Sequence, residues 1–429
     1  MTTLYDPVTG RAVAVYRTDG TLAWGGGETN PPETPVTPVS PPNGPMLNIA
    51  TRASAGANGA TPAGGTGGTL VGTRHRLVVD VADATLAWTA THGYGPDGGG
   101  TFHAAYSVND GPIHPITFGG VSTWYVKVER GAPVVTWTAD PVSLNAHAGD
   151  VLTVYVHAVT GSTASVISDQ TRQTPQDVTA TGSWDTAMKN LSASSTSGAW
   201  SYRPARVVAP SDKTSWLVVG DSIMQQPWSY GERALDARGL AGVKSAMGGD
   251  AYIYYPGRWQ ERVGEHSTTS PYMIDQFGVN RAGEMATKGL AFWNYSKART
   301  VKYIVKTTIS PTTLQGATIG NPEAQTDNAW LRDGAPLTAD KTTALPTGTT
   351  DATAVRCDVI RPDGTIKRGT GNGHPIDAVS DTAARIEASP GYLSDEAAAV
   401  IGGDRLHPSP AVHAMLAERL ARDLGILGF

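Results

Sequence analysis

The stretch Trp216-Leu217-Val218-Val219-Gly220-Asp221-Ser222-Ile223 constrains the fold more than any other part of the chain. A short apolar run that ends at a glycine and leads on toward a helix reads as a parallel strand buried on both faces. Such a strand needs parallel neighbours reached by crossover helices. From about residue 206 the pattern supplies them. Residues 244–247, 272–277 and 303–307 read as further strands, and 229–237 and 281–287 as helices. A last helix spans 409–424, where Val412, Met415, Leu416, Leu420 and Leu424 recur at helical spacing and form one apolar stripe. The fold class is therefore α/β, with a doubly wound parallel sheet. Ligands bind at the carboxyl edge of such sheets, and Ser222 stands at that edge.

The chain has 429 residues, enough for two or three domains. Residues 1–27 carry short strand-like pieces at 12–16 and 21–24 around Asp19-Gly20, a hairpin signal too small to bury its own core. This segment reads as an attachment appendage. Residues 28–45 are rich in Pro and Thr and read as a semi-rigid spacer. Residues 46–205 carry short, turn-separated strands at 76–81, 84–90, 102–108, 124–128, 134–138 and 151–158, the pattern of a jelly-roll-like β-sandwich. There Trp88, Trp124, Tyr125 and Trp137 offer either a sugar-stacking platform or ordinary core. Residues 206–429 form the α/β domain.

A formal charge of −5 argues against nucleic acid as the main partner. The single Cys357 excludes an internal disulfide framework and a cysteine-based zinc site. The first residues lack the basic start and apolar core of a secretory signal, and no apolar run is long enough to span a bilayer.

Three further segments bear on Ser222. Asp404-Arg405-Leu406-His407-Pro408-Ser409 sets an Asp and a His three residues apart ahead of a helix, where the carboxylate can orient the imidazole. Ala246-Met247-Gly248-Gly249-Asp250 and Asp275-Gln276-Phe277-Gly278-Val279-Asn280 each follow a strand, which brings a glycine N–H and an Asn amide to the same edge. In combination, Ser222, Gly249, Asn280, and Asp404 with His407 resemble, in order, the four blocks of the SGNH, or GDSL-type, hydrolases. The resemblance covers roughly 206–429. Gly248 is the alternative to Gly249, and Arg281 stands where the family usually has Asp.

The resemblance implies metal-free, cofactor-free acyl transfer to water. Ser222, His407 and Asp404 would be the triad, and the N–H groups of Ser222 and Gly249 with the Asn280 amide the oxyanion hole. Trp228, Tyr252 and Arg332 are candidate substrate contacts, and His374 reads as a solvent-facing loop residue. An adjoining β-sandwich resembles carbohydrate esterases, so O-acetyl or other short acyl groups on a polysaccharide are the expected substrate. A lipid or mycolyl-type esterase, and a glycan-binding protein without turnover, are the alternatives. Hairpin, spacer, sandwich and hydrolase, without a signal peptide, resemble an actinobacteriophage minor tail protein. That implies a virion or extracellular location, tail-protein partners through residues 1–27, and a homo-oligomer.

Overall fold

The computed structural model describes residues 2–5, 12–16, 42–54, 58–59, 68–90, 98–128, 135–160, 167–168, 177–193, 203–226, 229–252, 258–280, 283–311, 322–401 and 406–429. An eight-stranded sheet is built from β1 (Ala53–Ser54), β2 (Ser215–Gly220), β3 (Ala241–Ala246), β4 (Tyr272–Asp275), β5 (Tyr303–Thr307), β6 (Asp358–Ile360), β7 (Ile366–Lys367) and β8 (Ala378–Ser380). Its spatial order is β7-β6-β8-β5-β4-β2-β3-β1, with every pair parallel except β6 and β7. The helices are α1 (Ser222–Gln225), α2 (Tyr230–Arg238), α3 (Arg258–Ser267), α4 (Leu290–Ala298), α5 (Pro322–Arg332) and, after the short Asp395–Ala398 helix, α6 (Pro410–Ile426).

Alternation along β2 explains why both faces must be covered. Trp216 and Val218 pack with Tyr230 and Leu235 of α2 and Val412, Leu416 and Leu420 of α6. Leu217 and Val219 point the other way, into a cluster with Phe292 and Trp293 of α4 and Leu331 of α5. All four β2 side chains are at most 1% exposed, so the strand is stable only between two helical layers. Helix α6 starts where the sequence places it. Ser409 accepts a hydrogen bond from the Val412 N–H, and Pro410 occupies the first turn. The helix expected at 281–287 begins later, as a π-turn over Met285–Gly289 that runs into α4.

The preceding region is a sandwich of a seven-stranded and a five-stranded antiparallel sheet. One continuous core lies between them, including Leu86, Trp88, Phe102, Trp137, Val154 and Val156. Trp88 and Trp137 therefore belong to the core, whereas Trp124 and Tyr125, at 37% and 66% exposure, face solvent. The strand expected at 76–81 is a corner instead: Thr69–Arg76 ends there and Val81–Ala90 begins in the other sheet. At the N-terminus, Ala12–Tyr16 pairs with Thr2–Tyr5, and 21–24 lies outside the described residues.

The two regions interlock. Strand Arg206–Pro210 completes the five-stranded sheet, while β1, from the start of the sandwich region, adds to the parallel sheet beside β3. Between them a buried ion network runs from Arg52 through Asp177 and Arg203 to Glu232 of α2 and Lys244 of β3. Among the described residues, no helix is long and apolar enough to cross a membrane.

Candidate active site

The site starts at the carboxyl end of β2. A side chain at Gly220 would place a Cβ 2.4 Å from Gln276 Oε1 and 2.6 Å from Met224 Cβ, so only glycine fits. Asp221 caps α1: its Oδ1 accepts the Ile223 N–H at 3.0 Å, and its own N–H donates to Gln276 Oε1 at 3.1 Å. Ser222 is the first residue of the four-residue α1 and is partly exposed at the rim. Asp221 is fully buried. Burial raises its carboxyl to about 6, against the lowering effect of the Ile223 N–H, of Gln276 and of the Lys306 charge.

The second block leaves β3 as a turn in which the Asp250 N–H donates to Met247 O at 3.2 Å. Gly249 has φ +75°, is exposed, and has open space where a side chain would stand. Its backbone is thus accessible from the rim. The third block leaves β4 under tight control. Gln276 N–H donates to Val219 O at 3.0 Å, and Phe277 N–H to Asp275 Oδ1 at 2.9 Å. Asn280 then reaches across to donate its Nδ2 to Asp250 O at 3.1 Å, which ties the second block to the third. A planar amide carries two N–H donors, so one Asn280 hydrogen remains for another acceptor.

The fourth block arrives from beyond β8. His407 is partly exposed just ahead of α6, and the Ser409 N–H closes its loop onto Ile401 O at 2.9 Å. Asp404 lies outside the described residues, as do Trp228 and Arg281. Below His407, His413 is buried with Nδ1 accepting the Tyr230 N–H at 3.3 Å, and burial holds it down at about 3. His413 is therefore a neutral packing residue that ties α6 to α2.

Two sequence expectations are corrected, those for Tyr252 and His374. Tyr252 is 4% exposed, donates its OH to Asp275 Oδ2 at 2.5 Å and packs on Phe277, Phe292 and Trp293, so it is core rather than a substrate contact. Arg332 does reach the sheet rim. Its guanidinium is held by Asp381 at 2.9 Å and by Glu387 at 2.5 Å, so it acts as a strut in the wall of an open cavity of about 440 Å³. His374 is 7% exposed rather than solvent-facing, with Nδ1 accepting the Ile376 N–H and Nε2 paired to Ala335 O. Sequence reasoning also passed over Lys306 and Gln276, which sit beneath the rim; a lysine inside an apolar strand pattern is the one local signal.

No protein-family model and no curated protein sequence matches the chain. Solved structures do. A family 2 carbohydrate esterase with a carbohydrate-binding domain from Corynascus thermopiles (Myceliophthora fergusii) is similar over 90% of this chain and 100% of its own, at 13% identity and a TM-score of 0.35. An active-site mutant of a family two carbohydrate esterase from Clostridium thermocellum matches over 90% and 99%, at 12% identity and a TM-score of 0.34. A peptidoglycan O-acetylesterase matches over 90% and 76%, at 11% identity and a TM-score of 0.30.

Proposed function

We propose that the protein is a serine esterase that removes O-acyl groups, O-acetyl in the first instance, from a carbohydrate. One observation carries this reading. Ser222, Gly249 and Asn280 follow three neighbouring strands to one rim, and the Asn280 to Asp250 hydrogen bond ties the second of these segments to the third.

In the proposed reaction, His407 takes the Ser222 hydroxyl proton while the serine oxygen attacks the ester carbonyl. The N–H groups of Ser222 and Gly249 and the free Asn280 N–H receive the negative oxygen. His407 then returns the proton to the leaving sugar hydroxyl, and the acyl group stays on Ser222. Water repeats the cycle, releasing the acid and restoring the serine. Asp404 has the role of orienting His407. Asp221 shapes the turn and takes no proton from substrate.

A carbohydrate carrier is supported by the exposed Trp124 and Tyr125 on the sandwich, whose rings can stack on a sugar. A place in a phage tail, with residues 1–27 as the attachment segment, is the part of the proposal that rests on domain order alone.

The test is p-nitrophenyl acetate hydrolysis, and acetate release from a panel of acetylated cell-wall glycans, by the wild type and Ser222→Ala. Turnover that Ser222→Ala abolishes is the expected result. Equal rates in the two proteins overturn the esterase reading in favour of glycan binding without turnover.

A further inference from the structure

Lys306, in the middle of the parallel sheet, is completely buried, as are its neighbours Asp275 and Asp221. Removing an ammonium from water is costly unless its hydrogens find acceptors, so a residue there for packing alone would be apolar. The acceptors are specific. Lys306 Nζ donates to Phe277 O at 2.7 Å and to Asp275 O at 3.3 Å, and lies 3.9 Å from Asp275 Oδ1. Thr307 Oγ1 donates to the same Asp275 carbonyl at 3.3 Å. On the other side, the Asp275 carboxylate takes the Phe277 N–H, the Tyr252 OH and the Trp293 indole N–H.

Each peptide group from Asp275 to Phe277 thus has a hydrogen-bond partner, three residues ahead of Asn280, the proposed oxyanion donor. Gly278 follows at φ +140°, where a Cβ would stand 2.7 Å from Ile309, so only glycine fits at the start of the connection to Asn280. The Lys306 charge also acts on Asp221, the cap of the Ser222 helix.

We propose that Lys306 is a positioning residue for the esterase reaction: by holding the carbonyls of Asp275 and Phe277 from beneath the rim, it sets where Asn280 presents its amide. The proposal rests on the esterase reading. It assigns Lys306 no contact with substrate and no proton transfer.

A kinetic cycle tests it. Wild type, Lys306→Met, Asn280→Ala, the double variant and Ser222→Ala are compared on p-nitrophenyl acetate, with rates expressed per folded protein. Lys306→Met should lower kcat by roughly 10–100-fold with KM within about twofold, because an amide displaced from the hole loses stabilisation made only in the transition state. In the Asn280→Ala background the same change should cost no more than about threefold, since the group it positions is gone. A kcat within about threefold of wild type, or a loss that persists undiminished without Asn280, overturns the proposal. Should Lys306→Met not fold, Lys306→Met with Asp275→Asn is compared with Asp275→Asn alone, so that the Asp275 contacts cancel, and is read against the same two outcomes. Wild type no faster than Ser222→Ala would overturn the esterase reading itself, whereas an active wild type, an inactive Ser222→Ala and an unimpaired Lys306→Met overturn only the role of Lys306.

Discussion

Asp221→Asn isolates one buried charge in a measurement that does not depend on activity. The Asp221 carboxyl moves from an ordinary 3.8 in an exposed chain to about 6 when buried in the fold. That rise is equivalent to roughly 3 kcal/mol. At a pH below the unfolded value, the group is protonated in both states and this stability is fully present. As pH rises through that value the unfolded chain releases its proton first, so stability falls, and the loss is complete once pH passes the folded value of about 6. Asparagine keeps an acceptor for the Ile223 N–H and does not titrate. Urea unfolding of both proteins between about pH 4 and pH 7 provides the comparison, because the other carboxyl groups cancel in the difference. The variant should gain on the wild type with rising pH, by up to about 3 kcal/mol at neutral pH. A difference that is flat with pH, or that grows toward acid, refutes the assignment of a buried, raised carboxyl.

Other perturbations probe the neighbouring parts. Asn280→Ala should lower kcat by about 10²–10³-fold, as loss of an oxyanion donor does, and an unchanged kcat removes Asn280 from the hole. Gly220→Ala forces a Cβ onto Gln276 Oε1 and Met224, so thermal unfolding should register about 1–3 kcal/mol of destabilisation; a neutral variant contradicts the close approach. Glu232→Gln removes the carboxylate that Arg203 and Lys244 share in the buried network between sandwich and parallel sheet. It should cost about 3–5 kcal/mol in urea unfolding, and a loss under about 1 kcal/mol would mean the network is dispensable.

The parts of this protein legible from its residues are those governed by local periodicity and turn chemistry. The apolar run 216–219 reads as a two-face-buried strand, and Gly-Asp-Ser as its turn, because four consecutive apolar side chains and a glycine admit little else. The stripe of Val412, Leu416 and Leu420 does the same for α6, and all three are fully buried. Placing Ser222, Gly249 and Asn280 at one rim needs only that their strands be parallel, which the alternation of elements already implies.

Long-range pairing decided the rest. Nothing local sends Arg206–Pro210 to the sandwich or carries Ala53–Ser54 to the parallel sheet, because a strand's partner is chosen by the whole set of available edges. Burial is equally non-local. Tyr252 reads from the sequence as a candidate substrate contact and His374 as a solvent-facing loop residue, yet each finds partners only the folded chain supplies: Asp275 for one, the Ala335 carbonyl and Ile376 N–H for the other. Lys306 is the sharpest case. Within Tyr303-Ile304-Val305-Lys306-Thr307 its charge argues for water, and a strand pattern cannot say otherwise. Only the tertiary structure brings the carbonyls of Asp275 and Phe277 to its ammonium, and that meeting makes a buried cation tolerable beneath the serine's rim.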